Sequence, residues 1–125
     1  DSLGDSVTGQ KPLFLPSTMG IWQDKKNCNH CFFQPPTSDC FDGTYTAASY
    51  VPSLKNISIT FEFTGTAIYI FFILAWGNTA ANFTLDGSLA GTFIYLPIAG
   101  APSYQFSQSA LAFFKTGLEN ITHQM

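Results

Sequence analysis

The sequence predicts an all-β fold of about eight short strands with turn signals between them, a β-sandwich or jelly roll. Three observations carry this expectation. Residues 57–63 alternate, with Ile57, Ile59, Phe61 and Phe63 against Ser58, Thr60 and Glu62, the period of two that buries one face of a strand. Turn residues recur at close intervals, as at Gly65, Asp86-Gly87 and Gly117. No segment shows helical periodicity with caps, and no internal repeat is present.

Taken in order, residues 13–15 form a strand candidate bounded by Pro12 and Pro16. Residues 17–42 read as irregular and hold Trp22, all three cysteines, His30 and Pro35-Pro36; such loops are where function concentrates. Residues 41–45 make a turn with flanking aromatics. The strand at 57–63 follows, then the turn at Thr64-Gly65-Thr66. In 67–76 both parities are apolar, so this strand is expected to be covered on both faces, as a central strand would be. Further strands are expected at 83–86, 92–96, 104–107, 110–115 and 121–125, separated by Asp86-Gly87, the loop from Pro97 to Pro102, and Thr116-Gly117-Leu118.

Length sets a single domain, 1–125. Hydrophobic residues make up 46% and charged residues only 10% of the chain, well under the usual figure of about 25% charged. A surface so poor in charge needs another cover. Glycans on Asn56, Asn82 and Asn120, each opening an N-x-[ST] sequon, would supply one, and burial against further copies would supply another. Asn56 has the parity of the polar strand face, and Asn82 shares parity with Thr84 and Asp86 while Phe83 and Leu85 point the other way, so both sequons are expected to face solvent. The compartment implied is extracellular. A net charge of −3 without a basic stripe argues against nucleic acid as a partner. The apolar run 67–76 is about half of the roughly 20 residues that a membrane helix requires, so no membrane span is expected. The start DSLGDSVTG has no basic, apolar, small-residue order, in keeping with a mature, processed terminus.

Cys28, Cys31 and Cys40 leave one thiol over in an oxidising compartment. A disulfide between Cys28 and Cys31 is the preferred reading, with Cys40 then a free thiol or bridged to another chain. Zinc on Cys28, His30, Cys31 and Cys40 is the weaker reading, because the paired spacing of a structural zinc site is missing. A redox-active CxxC lacks the helix it usually opens. No metal or cofactor is expected. Asp39, Asp42 and Thr44 are oxygen ligands suited to calcium, though turn hydrogen bonding explains them more simply.

Catalytic chemistry finds little support. Glycoside hydrolysis needs two carboxylates about 5 to 9.5 Å apart across one cleft, and the pairs worth naming are Asp39 with Asp42 and Glu62 with Asp86. Both Asp-Gly steps read better as turns, and Glu62 as part of a wet strand face. His30 and His123 are the only histidines, and neither lies in a nucleophile-elbow context. Sugar binding would use an exposed aromatic platform against pyranose C–H faces, for which Trp22, Tyr45 and Tyr50 in the loop-rich half are the candidates.

The segments GDSVTG (4–9), Trp22, CNHC (28–31), QPP (34–36), FDGTY (41–45), ITFEFTGTAIYIFFILA (59–75), NFTLDG (82–87), GTF (91–93) and TGLEN (116–120) together resemble a large group of uncharacterised secreted or single-span ectodomain proteins of mushroom-forming (basidiomycete) fungi. The resemblance implies a galactose-binding-like jelly-roll sandwich at the cell surface or wall, often with a membrane segment downstream, and it brings no catalytic residues. That group pairs its CxxC, has a small apolar residue where Cys40 stands, and continues beyond the last turn with a strand resembling H-T-L-x-I, where this chain has His123-Gln124-Met125. The expected function is a non-enzymatic extracellular glycoprotein domain acting through structural or adhesive contacts, self-association as a homo-oligomer or polymer included. The second reading is a carbohydrate-binding module or sensing ectodomain for a cell-wall glycan. A wall-modifying hydrolase stands last.

Overall fold

Frequent Pro and Gly keep the extended segments short, because Pro withholds a ladder donor and Gly weakens a strand interior. A computed structural model of the chain describes residues 9–24, 28, 31, 34–40, 43–48, 50–100 and 110–125. Among them the fold is all β, with ten strands in five two-stranded sheets and single 3-10 turns at Thr37–Asp39 and Pro52–Leu54. The chain divides into two compact units, Asp1–Glu62 and Phe63–Met125.

In the first unit β1 (Leu13–Leu15) pairs antiparallel with β4 (Ser58–Thr60), setting Phe14 opposite Ile59. A second ribbon joins β2 (Trp22–Asp24) to β3 (Thr46–Ala48), with Trp22 opposite Ala48. β1 lies where Pro12 and Pro16 bracket it. β2 and β3 fall in stretches that the sequence reading leaves as loop and turn, since three residues are too few to establish a period. Phe14 and Trp22 connect the ribbons, their ring centroids 5.2 Å apart.

The second unit holds three pairs. β5 (Glu62–Thr64), which begins on the last residue of the first unit, pairs with β10 (Thr122–Gln124). β6 (Ala67–Phe71) runs antiparallel to β9 (Leu111–Thr116), with Tyr69 opposite Phe114. β7 (Thr79–Leu85) and β8 (Ser88–Tyr95) form a hairpin. Its turn, Asp86 and Gly87, has φ of 50° and 78°, positive at both central positions as a type I′ turn requires, and Asp and Gly tolerate that region best.

The apolar core of this unit is aromatic. Phe83 and Phe113 stack with centroids 4.8 Å apart, and Phe72 meets Phe83 at 5.9 Å and the edge of Phe93 at 5.6 Å. Ile68, Leu74, Leu85 and Ala110 are buried with them. Gly91 stands opposite Phe83 in the ladder, and a Cβ built there would lie 3.0 Å from the Phe113 ring. A side chain at this position would occupy the space of that ring.

Two expectations need correction. The alternation over 57–63 predicts one strand, but the chain breaks at Phe61 into β4 and β5, which take different partners. Ile59 is exposed, because a ribbon of two three-residue strands cannot cover both of its faces. The strand predicted over 67–76 ends at Phe71, and Tyr69 and Phe71 are 55% and 52% exposed; β6 is flanked by β9 in a two-stranded sheet and turns one aromatic face outward. The strand expected at 104–107 lies outside the described residues.

Candidate functional site

The first unit contains an open cavity of about 650 Å³ beside β1 and β2. The turn from Thr18 to Ile21, closed by the Ile21 N–H donating to the Thr18 carbonyl at 3.3 Å, builds one wall. Gly20 in this turn has φ of 86°, a conformation open mainly to glycine. Phe14, Met19 and Trp22 supply apolar lining and Ser17, Thr18 and Gln23 supply polar groups. Trp22 is half-buried and its indole N–H, shut off from solvent, has no hydrogen-bond partner among the described residues. A donor left so carries the desolvation cost of an unmade bond, about 1–3 kcal/mol.

Beyond β2 the Cys28–Cys31 disulfide forms, with Cα atoms 5.0 Å apart and Cys28 buried. Gln23 brings its side-chain Oε1 to 2.7 Å from the Cys31 sulfur; a disulfide sulfur has no proton to give, so this is a close contact and not a hydrogen bond. Cys40 stands outside the disulfide, its thiol donating to the Pro36 carbonyl at 3.4 Å.

The cavity gathers one of the three aromatic side chains predicted to meet sugar. Trp22 lines it, while Tyr45 and Tyr50 do not. Tyr45 precedes β3 at the end of the ribbon away from Trp22, since Trp22 pairs with Ala48 and Asp24 with Thr46. Tyr50 is exposed and donates its hydroxyl to the Lys55 carbonyl at 3.2 Å. Asn56, Asn82 and Asn120 are exposed, as acceptance of a glycan requires.

The residues weighed for catalysis and metal binding are engaged otherwise or lie outside the described part. His30 and Asp42 are outside it. Asp39 is the last residue of its 3-10 turn, its carboxylate accepting from the Ser38 hydroxyl at 3.2 Å. No group of three His, Cys, Asp or Glu suited to a metal occurs among the described residues. Among them, too, no helix is long and apolar enough to cross a membrane.

His123 is the polar group that sequence reasoning undervalued. It is buried, 5% exposed, with Nδ1 2.7 Å from Asp86 Oδ2 and Nε2 2.9 Å from the Glu119 carbonyl oxygen. Both neighbours are acceptors, so the two contacts are hydrogen bonds together only when both ring nitrogens carry protons, and the arrangement favours the imidazolium. The Asp86 hydrogen bond, then the Glu119 carbonyl, raise its pKa; the Gln124 backbone N–H, then His123, lower that of Asp86. In that form the ring has no lone pair with which to take a proton from a nucleophile. It pins β10 to the β7–β8 turn. The signal available in sequence was an Asp-Gly turn and a His near the chain end, 37 residues apart, a separation that only folding closes. Comparison of the chain with family models, with curated proteins and with solved structures finds no match.

Proposed function

We propose that this chain is a non-enzymatic extracellular glycoprotein domain of the fungal cell surface or wall, acting through structural or adhesive contacts and associating with copies of itself. Its strand pairs are read as parts of a galactose-binding-like jelly-roll sandwich. The observation that carries the reading is the outward aromatic face of β6 and β9. Tyr69 and Phe114 stack there with centroids 6.2 Å apart, Phe71 stands on the same side of β6, and all three are more than half exposed. Contiguous exposed aromatics on a chain with 10% charged residues favour association over a solitary state in water. Light scattering across a concentration series tests this. Mass rising with concentration is expected, and a monomer throughout, with Tyr69→Ser/Phe114→Ser indistinguishable from it, would overturn the reading.

A second reading, carbohydrate binding, is favoured by the Trp22 cavity, where an apolar ring stands beside Ser17, Thr18 and Gln23, the mixture that sugar recognition uses. A glycan array with a Trp22→Ala control decides it; retention of no sugar by the parent chain removes it.

A further inference from the structure

The alternation that turns Phe83 and Leu85 of β7 inward sets Asn82 and Thr84 on the opposite face, exposed. β8 contributes Leu89, Thr92 and Ile94 to that outer face, with Leu89 and Ile94 68% and 67% exposed. Asn82 sits at its centre. It faces Thr92 directly; on the same face the Ala80–Ile94 pair follows on one side and, across the register shift between Phe83 and Thr84, the Thr84–Leu89 pair on the other. In a regular ladder diagonal neighbours on one face, here Asn82 and Ile94, lie roughly 7–8 Å apart, within the footprint of a single sugar residue and its N-acetyl group. None of these residues is charged, so nothing on this stretch of the hairpin offsets the exposure of its two large aliphatic side chains. The Asn82 carbonyl oxygen accepts a hydrogen bond from the Thr92 hydroxyl at 3.2 Å. Its Nδ2 nitrogen, the atom that would bear a glycan, makes no hydrogen bond among the described residues. Asn56 lies ahead of β4 and Asn120 ahead of β10, so Asn82 alone of the three sequon asparagines stands within a strand.

We infer that an N-linked glycan on Asn82 is the cover of the outer β7–β8 face, packing its reducing-end sugars over Leu89 and Ile94. The inference rests on the extracellular reading proposed above, which supplies the co-reactant, a lipid-linked oligosaccharide pyrophosphate. Asn82 Nδ2 forms a bond to the anomeric carbon of that donor, the carbon–oxygen bond to pyrophosphate breaks, the lipid pyrophosphate leaves with the electron pair, and one Nδ2 proton is lost. Sugar C–H faces then replace water against the aliphatic side chains, and the hydroxyls face solvent.

The test uses the full chain secreted from a eukaryotic host. Site-resolved mass spectrometry reads occupancy, and binding of a hydrophobic dye reads the exposed face. Asn82 is expected to be glycosylated. Asn82→Gln and Thr84→Ala, which abolish the same sequon from different residues, are each expected to raise dye fluorescence about two-fold or more, as a newly bared apolar patch does, while Asn56→Gln leaves it unchanged. Native removal of the whole glycan from the parent glycoprotein with a peptide N-glycosidase, which cleaves at Nδ2 and leaves an aspartate at that position, should reproduce the rise. Glycans on Asn56 or Asn120 with none on Asn82, or unchanged dye binding after the Asn82 glycan is lost, would overturn this inference and leave the extracellular reading standing. Absence of glycan from all three sites would overturn both.

Discussion

His123 places Nδ1 2.7 Å from Asp86 Oδ2, tying the last strand to the β7–β8 turn. Asp86 answers with its other oxygen, which accepts the Gln124 N–H at 2.9 Å, and with its own N–H, which donates to the Gln124 carbonyl at 2.8 Å. Phe63 of β5 tilts against the His123 ring at 5.4 Å. The charged groups set against the ring are the Asp86 carboxylate and, more weakly, Glu119.

This arrangement predicts a stability maximum in mildly acidic solution. The raised His123 pKa contributes stability fully present below about pH 6.5, its ordinary value, and lost as pH rises through the raised one. The lowered Asp86 pKa contributes stability present above about pH 3.9 and lost as pH falls through the lowered one. Urea midpoints measured against pH should therefore fall on both sides of that window. Asp86→Asn should flatten both limbs, and a parent profile without an alkaline decline attributable to His123 would refute the assignment.

Gly91→Ala should destabilise the chain by about 1–3 kcal/mol, the range for overpacking, because the new Cβ meets the Phe113 ring at 3.0 Å. Urea unfolding measures the loss. Adding Phe113→Leu should recover part of it, and purely additive effects would show that the two positions do not share space.

Adjacent phenylalanines on β9 should behave oppositely. Phe113, buried against Phe83, should cost about 3–5 kcal/mol on truncation to Ala. Phe114, exposed and stacked on Tyr69, should cost about 1 kcal/mol or less. Equal losses by thermal or chemical unfolding would contradict the strand register.

The disulfide closes a very short loop, so replacing Cys28 and Cys31 by Ser should remove about 2 kcal/mol or less on the loop-entropy account. Melting with and without reductant measures this. Cys40→Ala should leave the reductant response intact, since Cys40 is outside the Cys28–Cys31 bridge.

Much of the fold was legible in local pattern. The all-β class, the bracketed strand β1, the Asp86-Gly87 hairpin turn and the outward parity of Asn82 each depend on residues within a few positions of one another, where period and turn chemistry act directly. What the pattern could not supply was the choice of partner. It read 57–63 as one strand, yet β4 goes to β1 and β5 to β10, because pairing is settled by segments more than forty residues away. It read 67–76 as doubly covered, yet nothing in an apolar run says whether a second layer lies over it, and Tyr69 and Phe71 stand outward. The same limit applies to the candidate sites. The sequence singled out Trp22 as an aromatic in a loop, but the cavity around it comes from Phe14 and the Thr18–Ile21 turn. It could not see that the site of His123 favours the imidazolium, since that preference is set by two acceptors which only the closed tertiary structure brings to its two nitrogens.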